Sequence, residues 1–94
     1  MGYATVRLCQ GGGGFEALPQ PRRSLDLARL RSRLEASGVS VIDARVMLIA
    51  RMRLEVTIAQ DGRVLIKGRD PNEAEALLAE LRPWLEEAAL SPRG

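Results

Sequence analysis

The strongest constraint on the fold is a run of alternating residues between positions 42 and 58. Every even position in this run is apolar, and most odd positions are polar or charged, with Met47 and Ile49 as exceptions. A repeat of two residues is typical of β-strands with one buried face. One strand of this length would extend about 55–60 Å at ~3.3 Å per residue, which is too long for a small domain. The chain must therefore reverse inside the run, and we place the turn at residues 51–53.

A second hairpin is predicted immediately after this run. Residues 60–62, Gln-Asp-Gly, are typical of a turn, and residues 63–68 follow as a strand. A two-residue turn would pair Ile58 with Leu65, whereas a three-residue turn would pair Ile58 with Val64. We favour the three-residue turn because it gathers β-branched residues on one face and places Gly62 in the left-handed conformation.

Two helices flank the predicted hairpins. Asp26 is a suitable N-cap for a helix over residues 25–37, and Gly38 is suited to the position just after its end. Asp70 and Pro71 open the last helix, in which Pro83 predicts a kink or a break.

These elements, together with an alternating strand over residues 3–9, give the order β-α-β-β-β-α. We predict one α+β domain spanning residues 1–94, a four-stranded, mainly antiparallel sheet with two helices packed on one face. Its ordered core covers residues 3–90. The glycines and prolines of residues 10–23 predict a flexible loop, and residues 91–94 a frayed tail.

The amino-acid composition excludes most kinds of catalytic site. The 94 residues include no histidine and one cysteine, Cys9. A Ser-His-Asp triad, a Cys-His pair, an internal disulfide and a His or Cys zinc site cannot form within this chain. Gly11 to Gly14 lack the Gly-Lys-Ser/Thr ending of a phosphate-binding loop. We therefore expect no enzymatic activity, no cofactor and no metal.

The longest uninterrupted apolar run has five residues, from Val46 to Ala50. A membrane-spanning helix needs about 20. The N-terminal residues show no charged segment followed by an apolar one, so we expect no signal peptide, no membrane partner and a cytoplasmic location.

Several short motifs together resemble a known family over about residues 5–82. They are Leu8-Cys9, Leu25-Asp26-Leu27, Asp61-Gly62-Arg63, Lys67-Gly68, Asp70-Pro71 and Ala74. This set resembles the small C-terminal region of long-form ThiF/MoeB/HesA-type adenylyltransferases. The sequence departs from that family at Gln10 and at Ala59-Gln60, and it holds no nucleotide-binding adenylation domain.

The resemblance implies an accessory role. Enzymes of this family activate the C-terminal Gly-Gly of ubiquitin-like sulfur carriers in thiamine or molybdopterin biosynthesis, and their ATP, magnesium and zinc sites lie in the domain that this sequence lacks. What it implies here is a non-catalytic protein-binding module for a sulfur carrier or for the adenylation subunit. Its motif residues are assigned structural roles: Asp61, Gly62, Arg63, Gly68, Asp70 and Pro71.

The odd-numbered face of the sheet is the candidate binding surface. It is basic, with a few apolar side chains, and we predict that it comprises Arg45, Met47, Ile49, Arg51, Arg53, Leu65 and Lys67. It could be a solvated surface on which long arginine stems cover the backbone, or a docking face for an acidic protein.

Three alternatives stay open. A homodimer could form through Met47, Ile49 and Leu65. A weak nucleic-acid-binding module is less favoured, because RNA-binding sheets stack bases on aromatic side chains and this face has none. Cys9 could be a reactive thiol activated by a nearby cation, although a partly buried structural cysteine is the preferred interpretation.

Overall fold

The computed structural model describes residues 2–9, 14–20 and 24–90, with the backbone alone at residues 2–9, 19 and 20. The six strands are β1 (Gly2–Cys9), β2 (Gly14–Gln20), β3 (Ser40–Asp43), β4 (Met47–Arg51), β5 (Glu55–Ala59) and β6 (Val64–Lys67). The two helices are α1 (Leu27–Ala36) and α2 (Pro71–Ala88). The predicted tail at 91–94 lies outside the described residues.

The six strands form one antiparallel sheet in the order β1-β2-β6-β5-β4-β3. Buried residues of both helices join those of one sheet face in a single core. The predicted α+β class, the antiparallel sheet and the two helices on one face are confirmed. In the described part of the chain the sheet has six strands rather than four, because residues 14–20 were predicted as part of a loop and β3 and β4 were predicted as one strand.

Strand β2 corrects the prediction of a flexible loop over residues 10–23. Residues 14–20 form a strand between β1 and β6, and residues 10–13 and 21–23 lie outside the described part of the chain. Phe15 pairs with Ile66 and Ala17 pairs with Val64, and both β2 side chains are buried. The burial of these two apolar side chains against β6 outweighs the loop preference of the surrounding glycines and prolines.

The alternating run contains two reversals rather than one. Residues 52–54 connect β4 to β5, close to the predicted turn. The additional reversal connects β3 to β4, where Ala44 N–H donates to the Met47 carbonyl at 2.9 Å. On β3, which precedes this reversal, the even positions no longer face the core. Val41 lies opposite the buried Ala50, whereas Ile42 lies opposite Ile49 and is 50% exposed.

The second hairpin has the predicted register. Ile58 pairs with Val64 and Val56 with Ile66, and all four side chains are fully buried or nearly so. Gly62 has a φ of 96°, the left-handed conformation that glycine adopts at little cost.

The helix ends also agree with the sequence. The Asp26 carboxylate accepts a hydrogen bond from Arg29 N–H at 3.2 Å, and Gly38 has a φ of 87°. Asp70 accepts from Asn72 N–H at 2.9 Å. Helix α2 passes through Pro83 and ends at Ala88, so the predicted break is absent from it. Neither described helix is long and apolar enough to cross a membrane.

Candidate protein-interaction face

The sheet face opposite the helices, which we call the outer face, carries the candidate site. Its described members on β3 to β6 are Ser40, Ile42, Met47, Ile49, Arg51, Glu55, Thr57, Ala59, Leu65 and Lys67. The strands alternate, so the neighbouring side chains of each strand point into the core while these point away from it.

A row of three aliphatic side chains and one threonine, which we call the apolar row, crosses four strands at the centre of the outer face. Ile42 pairs with Ile49, Ile49 with Thr57, and Thr57 with Leu65. Ile42 is 50% exposed and Leu65 is 37% exposed. Directly paired side chains lie about 4.5–5.5 Å apart at their Cβ atoms, so the row is continuous. Three aliphatic side chains arranged in this way, with Thr57 between Ile49 and Leu65, offer a partner a largely apolar strip on a rigid support.

Charged residues border this row, and part of their charge is already neutralised. Lys67 Nζ lies 3.3 Å from a Glu55 oxygen, and Arg63 Nε lies 3.4 Å from a Glu16 oxygen. Arg51 is opposite Glu55 in register but, among the described residues, no carboxylate lies within ion-pair distance of it. Its exposed guanidinium can therefore pair with an acidic group of another molecule.

Arg45 stands at the tip of the β3–β4 hairpin with an unusual backbone. Its φ is 73°, the one positive value for a described residue other than glycine. Val46 N–H donates to the Ala44 carbonyl at 2.9 Å, and the Asp43 carboxylate accepts from Arg45 N–H at 2.9 Å. A positive φ is costly for a side chain with a Cβ, and these two hydrogen bonds hold the loop in place.

Five of the seven predicted binding residues share the outer face: Met47, Ile49, Arg51, Leu65 and Lys67. Arg45 lies at its border. Arg53 does not belong to it, since Arg53 is in the β4–β5 turn and its guanidinium lies 2.7 Å from Glu80 of α2. A salt bridge to the helical layer draws this side chain to the opposite side of the sheet.

Sequence reasoning missed Ile42, which it placed with the buried even positions. Asp43 was the residue that could have indicated a turn after Ile42. Its carboxylate accepts a hydrogen bond from the amide of Arg45, two residues later, as aspartate commonly does in turns.

The motif residues behind the family resemblance have structural roles here. Asp61 accepts from Arg63 N–H at 3.0 Å within the β5–β6 turn. Asp70 caps α2, with Pro71 as its first residue. An added Cβ on Gly68 would lie 3.1 Å from Leu54 Cδ1, so this glycine leaves room for Leu54 to pack.

Cys9 ends β1, opposite Gly14. Because only the backbone of β1 is described, the preferred structural role of Cys9 and the alternative of a reactive thiol both stay predictions.

The described residues also form a shallow groove of about 360 Å³ at the ends of β4 and β5, lined by Ser24, Val46, Met47, Ala59, Gln60 and Asp61. Within residues 2–9, 14–20 and 24–90, no group of three potential metal ligands comes together. Its lining includes the hydroxyl of Ser24, the amide of Gln60 and the carboxylate of Asp61.

Comparison with known proteins adds no relative: no family model, curated protein or solved structure matches this chain.

Proposed function

We propose that this chain is a non-catalytic protein-binding module that docks a partner on its outer face. The observation that carries the proposal is the apolar row from Ile42 to Leu65, bordered by the guanidinium groups of Arg51 and Arg45. An apolar centre with a charged rim is the usual anatomy of a protein–protein interface.

The row can contribute measurable affinity. Fully burying a leucine or isoleucine is worth about 1.5–3 kcal/mol, so covering the exposed fractions of Leu65 and Ile42 would contribute about 1–2.5 kcal/mol together. This corresponds to about 5–70-fold in the dissociation constant. Arg51 and Arg45 would add orientation and a faster association with an acidic surface.

The resemblance of residues 5–82 to the C-terminal region of ThiF/MoeB-type enzymes suggests which partner to test. A ubiquitin-like sulfur carrier ending in Gly-Gly, or a separate adenylation subunit, would be the partner, and the module would serve thiamine or molybdopterin biosynthesis in the cytoplasm.

A nucleic-acid partner is less favoured. Phe15 is buried in the core, and Trp84 packs against the core from helix α2. Neither ring is on the outer face, so the described part of that face offers no aromatic platform for stacking bases.

The test is an amide NMR titration of the labelled chain with each protein partner. We expect shifts at Ile49, Thr57 and Leu65, and weakened binding in a Leu65→Asp/Arg51→Glu variant. Arg82→Glu is the matched control, because it reverses an exposed charge on α2, away from the outer face.

Shifts confined to the helices would refute the outer face as the binding site. An absence of shifts with both proteins would refute the proposed partner class, and titration with single-stranded RNA at two salt concentrations would then test the alternative.

A further inference from the structure

Within the part of the chain that the structure describes, strand β3 forms one border of the sheet and has a strand, β4, on one side only. The hydrogen bond from Ala44 N–H to the Met47 carbonyl fixes which β3 residues bond to β4. Because bonding alternates along an antiparallel pair, Ile42 exchanges hydrogen bonds with Ile49. The N–H and C=O groups of Val41 and Asp43 therefore point away from β4, toward the open side of the sheet.

Exposed apolar side chains gather at the same border. Ile42 is 50% exposed, and Val46, in the loop after β3, is 58% exposed. These are the two most exposed large apolar side chains among the residues whose burial is described. The border thus combines free backbone groups with apolar surface, the two features that favour addition of a strand.

The charges at this border complement one another. Arg31 of α1 lies 3.3 Å from Asp43 and 3.3 Å from Glu35, so this cluster has one excess negative charge. Arg45 supplies one positive charge, with no carboxylate within ion-pair distance in the described part of the chain. A two-fold axis through the border would bring the arginine of each copy toward the acidic cluster of the other.

We propose that the chain self-associates by antiparallel pairing of β3 with β3 of a second copy, in a register centred on Ile42. Val41 of each copy then exchanges hydrogen bonds with Asp43 of the other, which satisfies all the outward groups of both residues. The two Ile42 side chains become a direct cross-strand pair, and the outer-face row runs on from one copy to the next. Arg45 comes opposite Val39 of the other copy, four residues after Glu35 of its acidic cluster.

The association should be weak. Two four-residue strands bury little area, and contacts below about 1,200 Å² in total belong to the transient class. The proposal concerns the border of the sheet and does not depend on the sulfur-carrier partner, so either idea can fail alone.

Sedimentation velocity of the full chain from about 10 µM to about 1 mM covers the range expected of a transient contact. We expect the average mass to rise from 10.3 kDa toward twice that value. Ile42→Lys and Val41→Pro should each abolish the rise, because the first places like charges opposite each other and the second removes an outward N–H. Circular dichroism of both variants tests whether they keep the fold.

Two controls locate the contact. Leu65→Lys adds a charge to the same face on the interior strand β6 and should leave the association unchanged. Arg45→Glu should weaken it about threefold or more, as expected for two exposed ion pairs, whereas Arg82→Glu should not.

Amide hydrogen exchange reports the register. The Val41 and Asp43 amides should become protected only at high concentration, whereas the Ile42 amide should be protected throughout. The proposal is overturned if the mass stays at 10.3 kDa up to about 1 mM, or if Leu65→Lys abolishes association as fully as Ile42→Lys, which would indicate stacked outer faces.

Discussion

Replacing Gly14 with alanine tests the least expected element of the fold, strand β2. A Cβ atom on residue 14 would lie 2.8 Å from the Ile66 carbonyl oxygen and 3.4 Å from Lys67 Cα. Both neighbours are backbone atoms of β6, the strand that β2 pairs with at Gly14 and Phe15. The clash can therefore be relieved only if one strand moves.

The size of the effect follows from two opposing terms. Overpacking against a rigid neighbour costs about 1–3 kcal/mol. Alanine also restricts the unfolded chain more than glycine does, which returns about 0.4–1 kcal/mol. We expect a net loss of about 1–2 kcal/mol in the free energy of unfolding, which lowers Tm by about 5–15 °C in a domain of this size.

Differential scanning calorimetry and urea denaturation will measure this loss. Gly68→Ala is the matched control, since its Cβ would meet the flexible Leu54 side chain, which can move aside, and its effect should stay within about 0.5 kcal/mol. If residues 10–23 were a flexible loop, Gly14→Ala would be neutral or stabilising. An unchanged or higher Tm would therefore refute the pairing of β2 with β6.

Three further substitutions test the loop, a helix cap and the core. Arg45→Gly should raise the free energy of unfolding by about 0.5–1.5 kcal/mol because it relieves the cost of a positive φ, whereas Arg45→Ala keeps a Cβ and should not. Calorimetry measures both variants, and equal free energies of unfolding would contradict backbone strain at Arg45. Asp70→Ala should cost about 1 kcal/mol in urea denaturation and Asp70→Asn clearly less, since asparagine can also cap; equal losses would argue against the cap. Leu30→Ala should cost about 2–5 kcal/mol because Leu30 is fully buried, whereas Leu65→Ala should cost less than 1; similar losses would place Leu30 outside the core.

The elements that the sequence predicted correctly are those controlled by local chemistry. The β5–β6 hairpin follows from Asp61 and Gly62, and the helix starts follow from Asp26 and Asp70, whose carboxylates bond to amides two or three residues away. Each depends on contacts within a few residues, so each can be read without knowing the rest of the fold.

The errors arise where distant contacts decide the structure. Phe15 and Ala17 form a strand because β6 provides paired backbone and a buried surface for them about 50 residues later in the chain. Arg53 leaves the outer face because Glu80, 27 positions away, holds its guanidinium. Nothing local to either segment indicates these partners.

The misplacement of Ile42 has a geometric cause that can be traced to one loop. The β4–β5 turn leaves three residues, 52–54, between the paired Arg51 and Glu55, so even positions stay opposite even positions. The β3–β4 loop leaves only Arg45 and Val46 between the bonded Ala44 and Met47. A loop with an even number of residues pairs even with odd positions, and this exchanges the two faces of the strand beyond it. The first central position of such a loop favours glycine, and arginine there conceals the turn in the sequence. The same loop therefore turns Ile42 outward at the border of the sheet, which is where an apolar side chain can meet a second molecule.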